Sequence, residues 1–207
     1  MATPLTHIIL SESIYYDVFS PERQWDFMVG TLLPDIRYLD KSIPRDKYHR
    51  ENMFLSTVKS ASTPFQQWLY FHSLLDQVRD SFYIQRGIYV PWVNEDFIIA
   101  LKLLEDEVLY NKISDWETII AYMQSFDYAV LPDIQSDILR TWYGLIINLM
   151  SRKPDDESRK AFMIGLWMPI GYIEKINWIV ADLKKEPTSY TLIEELYSSF
   201  PMLIKIK

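Results

Sequence analysis

The sequence predicts an all-α fold, a single-domain bundle of many helices. Apolar residues recur with helical spacing along most of the 207-residue chain, and almost no stretch alternates as a strand does. The chain contains only five glycines, and prolines separate its apolar segments. With 49% hydrophobic residues, a chain of this length can bury a large core, so we expect one domain over residues 1–207.

The helices are placed by this periodicity and by local start signals. Ser20 and Thr63 are expected N-caps, and each is followed by a proline at the first helical position. Pro169 is expected to kink a long helix in the second half. The predicted helices cover residues 5–18, 20–33, 46–60, 62–83, 94–109, 114–124, 132–150, 155–183 and 190–199.

The predicted connections are short and contain prolines. Residues 34–46 and 85–93 are the longest of them in the first half. The polar residues 151–160 are either a hinge between two halves or an exposed turn between helices. We find no internal repeat and no low-complexity linker that would divide the chain.

Composition excludes several kinds of site. The net charge is −7, and no basic run exceeds two residues, as at Lys184-Lys185, which argues against a nucleic-acid partner. The chain has no cysteine, so it has neither disulfides nor a thiolate metal site. A transition metal would therefore have to bind histidines and carboxylates, and the chain has three histidines.

Targeting and membrane signals are weak. The N-terminal residues "MATPLTHIIL" lack the basic region and the cleavage pattern of a signal peptide. The longest apolar stretch, residues 161–173, is too short to span a bilayer and contains Pro169. We therefore expect a soluble cytoplasmic protein without a transmembrane segment.

The segment "FHSLLD" at residues 71–76 carries the first candidate ligands. His72 and Asp76 are four residues apart, so on a helix they share one face and could bind one ion, and Asp80 continues that stripe. A hydrogen-bonded surface pair is the alternative for such a spacing. The apolar residues on both sides place the pair near the interior, where a carboxylate needs a cation or several hydrogen bonds.

The remaining candidates are Asp35, His49 and His7. Pro34 ends a helix and fixes the direction of Asp35, which suits a rigidly held ligand, although a capping or turn aspartate is the alternative. His49 lies early in the helical segment predicted at residues 46–60, and His7 lies in "THIIL". Each of these two histidines could equally be an ordinary half-exposed side chain.

The candidates occur in a particular order along the chain. His7 is followed by "F-x-x-G-x-x-x-P-D" at residues 27–35, then by "R-x-x-x-H" at 45–49 and by "F-H-x-x-x-D" at 71–76. This order resembles the zinc-dependent phospholipase C family and its all-helical phosphodiesterase relatives. The resemblance covers roughly residues 5–80, and the helical part from about residue 90 carries no motif that we recognise.

The resemblance implies a ligand set and a reaction. One metal ion would be held by Asp35, His49, His72 and Asp76, and Asp76 would bridge to a second ion that also uses His7. Zinc is the expected metal, and manganese or iron also suits imidazole and carboxylate ligands. The implied activity is metal-assisted hydrolysis of a small-molecule or lipid phosphoester, in which Asp35 orients or deprotonates the attacking water.

The chain also departs from the family pattern. No histidine follows His72, so a third metal ion is not expected, and the site would hold one or two ions. The acids of "LLEDEV" at residues 103–108, such as Glu105 and Glu107, are predicted to form an exposed helix face rather than to replace the missing ligands. The secreted members also use a processed N-terminal tryptophan as a ligand, and with Met1 at the start of this sequence we expect the His7 site to lack that partner.

Two alternative functions remain. An HD-type phosphohydrolase is also all-helical and binds metal through His and Asp, but this chain lacks the adjacent His-Asp pair of that family. A metal-free helical interaction protein, or an inactive descendant of the enzyme, would use the same five residues as a buried polar network. The aromatic residues of the second half are predicted to form core first, and a lipid- or partner-facing groove only second.

Overall fold

Helices form the regular structure of the chain. The structure, a computed structural model, describes residues 3–19, 24–89, 94–127 and 134–206, and these residues contain no strand. The all-α prediction is confirmed over this part of the chain. No described helix is both long enough and apolar enough to cross a membrane.

The helices are short to medium in length and are numbered in chain order. The α-helices are α1 (Pro4–Val18), α2 (Gln24–Thr31), α3 (Arg45–Tyr48), α4 (Leu55–Lys59), α5 (Pro64–Gln85), α6 (Glu95–Leu109), α7 (Trp116–Ser125), α8 (Ser136–Met150), α9 (Asp156–Gly165), α10 (Ile170–Leu183) and α11 (Pro187–Ile206). Two 3₁₀ helices span Leu33–Tyr38 and Tyr110–Lys112. The first of them occupies the beginning of the loop that we predicted at residues 34–46.

Helix starts agree with the sequence signals where the structure describes them. The Thr63 hydroxyl accepts a hydrogen bond from the Gln66 backbone N–H, so Thr63 is the predicted N-cap of α5. The predicted cap at Ser20 and Pro21 lies outside the described residues. Helix α11 begins before the predicted residue 190 and continues past 199, with Pro201 inside it.

The predicted helix at residues 46–60 is wrong. The chain forms two short helices, α3 and α4, and runs extended at His49, which has φ −101° and ψ 139°. Asn52 adopts a left-handed φ of 55°, which breaks any helix through this segment. The interruption frees the His49 side chain to turn toward the core instead of lying on a surface helix.

The predicted long helix at residues 155–183 is two helices rather than one kinked helix. Trp167 has a left-handed φ of 60° just beyond the end of α9, and Pro169 is the N-cap of α10. A residue before proline avoids helical backbone, so Met168 cannot connect the two segments smoothly. The predicted kink at Pro169 is therefore a complete break.

Helix α1 lies at the centre of the bundle. It contacts α2, α5, α6, α8 and α11, and most of its described side chains are buried, polar ones included. Ile8 and Ile9 are at most 1% exposed, and Thr6, His7 and Ser11 are fully buried. A buried polar side chain needs a partner in the core. His7 is therefore placed deep inside the molecule by the position of its helix.

The second half contributes both core and surface aromatics. Trp142 and Tyr143 of α8 are at most 1% exposed, in agreement with the expected core role. Trp167 and Trp178 differ, because they are 83% and 77% exposed. The expectation that these aromatics pack inside is correct for α8 and wrong for these two tryptophans.

Candidate metal centre

The fold brings all five predicted ligands together. His7 lies on α1, Asp35 on the first 3₁₀ helix, and His49 at the end of α3, while His72 and Asp76 lie one turn apart on α5. Every one of these residues is at most 7% exposed. Residues separated by up to 69 positions in the sequence therefore form one buried group of imidazoles and carboxylates.

Asp35, His49 and His72 form the first cluster. The Asp35 Oδ1 atom lies 3.6 Å from His49 Nε2 and 4.0 Å from His72 Nε2, and the two Nε2 atoms are 3.1 Å apart. Ligands that bind a tetrahedral zinc ion at about 2.0–2.1 Å are separated from one another by roughly 3.3 Å. The three atoms are therefore spaced as ligands of one ion.

His7, His72 and Asp76 form the second cluster. Asp76 Oδ1 lies 3.6 Å from His7 Nε2, and Asp76 Oδ2 lies 3.5 Å from His72 Nε2. The two carboxylate oxygens of Asp76 thus face different imidazoles. His72 belongs to both clusters, so the two clusters are adjacent. A carboxylate in the position of Asp76 can bridge two ions, one through each oxygen.

Backbone carbonyls fix the orientation of two of the rings. His72 Nδ1 lies 2.7 Å from the Thr31 carbonyl oxygen, and His7 Nδ1 lies 3.2 Å from the Thr3 carbonyl oxygen. In each case the Nδ1–H donates to the carbonyl, so the Nε2 atom of a neutral ring presents a lone pair. Such a carbonyl contact behind a histidine is typical of metal-ligating imidazoles.

Burial keeps these rings neutral. It lowers the pKa of His7 to about 4 against the opposing attraction of Asp76. The pKa of His72 falls to about 3, mainly through burial and also through the neighbouring His7 ring. Neutral rings with Nδ1–H bonded to carbonyls turn their Nε2 lone pairs toward the Asp35 and Asp76 carboxylates, and a cation between these atoms would be attracted by both kinds of group.

Two buried atoms without hydrogen-bond partners fit a bound cation. His7 Nε2 and Asp35 Oδ1 are buried without a hydrogen-bond partner among the described residues. Buried polar atoms normally have a partner, and each one left without costs about 1–3 kcal/mol. A divalent ion bound by these same atoms would satisfy both of them, so the residues present fit the metal that the family resemblance implies.

A close contact between helices positions the Thr31 carbonyl. A Cβ atom on Gly30 would lie 2.1 Å from the Trp68 ring, so only glycine lets α2 approach α5 this closely. Trp142 Nε1–H donates to the Leu32 carbonyl at 3.1 Å, which ties the end of α2 to α8. Gly30, the glycine of the "F-x-x-G-x-x-x-P-D" motif, thus allows the close packing of α2 on α5 that places the Thr31 carbonyl beside His72.

Helix α5 also holds the segment that carries His49. The backbone N–H of Arg50 donates to Ser73 Oγ at 2.9 Å. The Gln77 side-chain amide bonds both to the Met53 N–H at 3.1 Å and to the Met53 carbonyl at 3.0 Å. The sequence gives no sign of these roles, although Ser73 directly follows His72 and Gln77 directly follows Asp76 on the same helix.

Asp106 anchors the first turn of α1. Its Oδ1 atom accepts hydrogen bonds from the Thr6 N–H and the Thr6 hydroxyl, both at 2.8 Å, and also from the Thr3 hydroxyl. Thr3 is the residue whose carbonyl orients His7. Burial raises the pKa of Asp106 to about 7, against the lowering effect of these hydrogen bonds. Asp106 is therefore a support for His7 that sequence analysis did not find.

The prediction that the acids of residues 103–108 form an exposed face is wrong. Glu105 is fully buried and accepts two hydrogen bonds from the Arg79 guanidinium, at 2.8 and 2.5 Å, and one from the Tyr83 hydroxyl at 2.7 Å. Glu107 is partly buried and pairs with Arg159 and Lys184. Helix α6 is covered by α1, α10 and α11, so its acids carry internal ion pairs rather than water-facing charge.

Asp80 does not extend the ligand stripe. Its carboxylate pairs with Arg79 at 3.0 Å, and its side chain is 41% exposed. The two clusters that share His72 are the groups of at least three potential ligands found in the described part of the chain. The candidate centre is therefore limited to the five residues that the sequence predicted.

Comparison with known proteins adds no relative to this picture. No protein-family model, no curated protein and no solved structure matches the chain. The geometry of the site, together with the motif order, therefore carries the functional assignment.

Proposed function

We propose that the chain is a metal-dependent phosphoester hydrolase similar to the zinc-dependent phospholipase C family. The observation that carries the proposal is the convergence of His7, Asp35, His49, His72 and Asp76 in two clusters that share His72. Their order along the chain is the order of the family's ligands. The orientation of the His7 and His72 rings adds independent support, because both turn Nε2 toward a carboxylate.

Each cluster would bind one metal ion. Asp35, His49 and His72 would hold one ion, and His7 with Asp76 would hold a second ion beside it. Two carboxylates offset part of the charge of the ions, which suits a buried site. A divalent ion bound here would polarise a phosphoryl oxygen and lower the pKa of bound water to roughly 7.

Zinc suits this ligand set best. The site offers imidazole nitrogens and carboxylate oxygens with spacing close to that of a tetrahedral ion, and it offers no thiolate. Manganese and iron bind the same ligand types and are the alternatives. The backbone carbonyls that bond to Nδ1 of His7 and His72 leave the Nε2 lone pair of each ring available to bind an ion.

Asp35 is the proposed catalytic residue. Its carboxylate lies at the edge of the first cluster, and Oδ1 faces the His49 and His72 imidazoles. A carboxylate has two oxygens, so Asp35 can hold an ion through one and orient or deprotonate the attacking water with the other. Pro34, which precedes it in a buried 3₁₀ helix, keeps this side chain in a fixed direction.

A metal-free polar network is the less favourable alternative. It would leave His7 Nε2 and Asp35 Oδ1 buried without partners. The hydrolase proposal gives both atoms a partner, whereas the metal-free alternative leaves each of them buried at a cost of about 1–3 kcal/mol.

Two measurements test the proposal. Chain purified without added metal or chelator is expected to hold at least about one equivalent of zinc or manganese by elemental analysis, because the ligand set is complete. The loaded protein is then assayed with bis(p-nitrophenyl) phosphate, a generic phosphodiester. We expect hydrolysis that chelator removes and metal restores.

A matched pair of variants links activity to the site. Asp35→Asn is expected to lower hydrolysis by about 100-fold or more, since it removes the residue that positions the water. Asp137→Asn, at a side chain that is 94% exposed, is the control and should leave the rate unchanged. Bound metal with no hydrolysis of any phosphoester would refute the catalytic proposal and leave a structural metal site.

A further inference from the structure

Two cationic side chains meet at the ring of Tyr38. The Arg37 Cζ atom lies 4.2 Å and the Lys41 Nζ atom 5.2 Å from the centroid of this ring. Neither cation forms an ion pair with an acid in the described part of the chain. Asp40, the nearest acid in the sequence, accepts hydrogen bonds from the Ser42 N–H and hydroxyl instead. An anion at the edge of the Tyr38 ring would therefore be attracted by two charges that no acid offsets.

Both cations have unused binding capacity. Burial and the neighbouring Arg37 guanidinium lower the pKa of Lys41, so the two like charges act on each other. The Arg37 Nε atom is buried without a hydrogen-bond partner among the described residues. A guanidinium presents its donors as a fork that matches the oxygens of a phosphate group. The free donors of Arg37 thus fit a phosphoryl group.

The segment around these cations differs in charge from the rest of the chain. Residues 36–50 contain five lysines and arginines and only two aspartates, whereas the whole chain has a net charge of −7. A local excess of positive charge raises the concentration of anions nearby. The approach to the first cluster from this segment therefore favours an anionic ligand.

The first 3₁₀ helix connects the cations to the metal centre. Asp35 and Tyr38 are three residues apart in this helix, and side chains with that spacing lie on one face because a 3₁₀ helix has three residues per turn. The Arg37 guanidinium donates a hydrogen bond to the Tyr38 hydroxyl, so it lies at the same face. Burial, and then the charges of Asp35 and Asp76, raise the pKa of Tyr38. The phenol is therefore close to ligands of both clusters and keeps its proton.

A single phosphoryl group can reach both the ions and the cations. Three residues of a 3₁₀ helix rise by about 6 Å. An oxygen bound to zinc lies about 2.0–2.2 Å from the ion, and a second oxygen accepts from a guanidinium at about 2.7–2.9 Å. Together with the width of the phosphoryl group, these distances span one turn of the helix that separates Asp35 from Tyr38.

We propose that Arg37, Tyr38 and Lys41 form an anion subsite that holds the phosphoryl oxygens which the metal ions do not bind. This inference rests on the proposed function and adds the substrate class, a phosphomonoester in preference to a phosphodiester. A monoester dianion has three non-bridging oxygens, so it can contact the ions and both cations together. A diester has two such oxygens and a single charge, so it makes fewer of these contacts and binds more weakly.

Inorganic phosphate and dimethyl phosphate are suitable probes. At about pH 8 phosphate is mainly a dianion, whereas dimethyl phosphate is a monoanion with two non-bridging oxygens and poor leaving groups. Calorimetry measures the affinity of each for the metal-loaded full chain, freed of excess metal and kept at constant ionic strength. We expect phosphate to bind at least about tenfold more tightly. Equal affinities would overturn the subsite.

Variants assign this preference to the two cations. Arg37→Gln should weaken phosphate binding by about tenfold and dimethyl phosphate binding by less. Arg140→Gln is the matched control for the lost charge, since the Arg140 side chain is 72% exposed and lies on α8, and it should leave both affinities unchanged. Equal phosphate affinities in these two variants would overturn the subsite while leaving the metal centre intact.

A second pair covers the case in which Arg37→Gln does not fold. Lys41 and Lys59 are both exposed, so both positions tolerate substitution. Lys41→Gln should weaken phosphate binding by about threefold. Lys59→Gln, at the end of α4, should not change it. Identical behaviour of these two variants would also count against the subsite.

Metal counts separate this inference from the proposed function. Arg37 is not a predicted ligand, so elemental analysis should give Arg37→Gln the same metal content as the unmodified chain. Loss of metal in this variant would attribute its weaker binding to the ions and overturn the subsite. Chain that binds no metal refutes the proposed function. Phosphate binding to that chain that Arg37→Gln removes would retain the subsite, and absence of such binding would overturn it too.

Discussion

The imidazole rings of His7 and His72 stack in parallel, with centroids 4.2 Å apart and an angle of 3° between their planes. The rings come from α1 and α5, and each is fixed from behind by a main-chain carbonyl. Their Nε2 atoms face the two different oxygens of Asp76. The stack therefore aligns two donor atoms side by side, as a pair of neighbouring ions would require.

Removal of metal should destabilise the protein. In the proposed metal-bound state the ions are partners of Asp35 Oδ1 and His7 Nε2, and chelation leaves these two buried atoms without a hydrogen-bond partner among the described residues. We expect chelator to lower the melting temperature by several degrees. In His72→Ala, which lacks a ligand of the first ion, chelator should lower the melting temperature less than it does in the unmodified chain. Identical melting curves of the unmodified chain with and without chelator would contradict the metal centre.

The two clusters should lose their ions separately. His49→Ala removes a ligand of the first cluster only, and His7→Ala removes a ligand of the second only. We expect each variant to bind about one equivalent less than the unmodified chain, if that chain binds two. His72→Ala should match His49→Ala, because the His72 ring has one free lone pair, at Nε2, and can bind one ion only. Metal titration with elemental analysis gives these counts, and loss of all bound metal in each of the three variants would argue for a single mononuclear site.

Acid should destabilise the metal-free chain through the buried histidines. The folded-state pKa values of about 4 for His7 and about 3 for His72 lie below the ordinary value of 6.5, chiefly because of burial. The unfolded chain therefore binds protons first, so stability present above about pH 6.5 is lost as the pH falls toward these values. At pH 5 the loss is about 2 kcal/mol for each ring.

Denaturant unfolding of chelated protein at pH 7.5 and pH 5 measures this effect. His7→Asn removes one of the two titrating rings, so it should lose less stability over the same interval than the unmodified chain does. A chelated chain that is equally stable at both pH values would show that the rings are not buried in neutral form.

Asp106 should matter for the second cluster although it binds no metal. Asp106→Ala removes the acceptor of the Thr3 and Thr6 hydrogen bonds and loosens the turn that orients His7. Loss of such a support typically lowers metal affinity by about 10- to 100-fold. We expect weaker binding of the second ion with the first ion unaffected. Asp106→Asn keeps a carbonyl acceptor and should bind both ions nearly as well as the unmodified chain.

The charge of Asp106 also predicts a pH effect of the opposite sign. Burial raises its folded pKa to about 7 from an ordinary value of 3.8. The folded chain then holds this proton more tightly, so the contribution of Asp106 to stability falls as the pH rises from about 4 to about 7. Asp106→Asn cannot titrate and should lack this loss. The difference in melting temperature between the two proteins at pH 5 and pH 8 measures it, and a constant difference would contradict the raised pKa.

The ion pair between Arg79 and Glu105 should be the costliest single contact to break among the acids of α6. Glu105→Ala leaves the fully buried Arg79 guanidinium without its bidentate partner. Removal of one partner from such a pair costs about 3–5 kcal/mol. Glu194→Ala is the control, because its pair with Lys112 is largely exposed and should contribute less than about 1 kcal/mol. Equal effects in denaturant unfolding would contradict the buried pair.

The sequence predicts the helical ligands best. His72 and Asp76 share a face because of helix geometry, and Thr63 caps α5 as expected. Asp35 and His49 are different, because neither lies on a regular α-helix. Periodicity cannot locate them, and only the ordered motif suggested that they belong to the same site.

The supporting residues could not be read from the sequence. Asp106 lies 100 positions from Thr6, and nothing in "LLEDEV" distinguishes an acid that caps a buried helix from one that faces water. Glu105 was misassigned for the same reason, since burial of α6 depends on α1, α10 and α11 packing around it. Such roles arise from long-range packing, which local pattern does not encode.

The anchoring of α1 by Asp106 has a consequence for the order in which the site is translated. All five candidate ligands leave the ribosome within the first 76 residues, but the carboxylate that holds the turn behind His7 follows 99 residues after that histidine. The ligands of the first cluster come from the first 3₁₀ helix, the end of α3 and α5, whereas the turn behind His7 also depends on Asp106 of α6. The last residue needed to orient the second cluster is therefore translated 30 residues after its last ligand, Asp76.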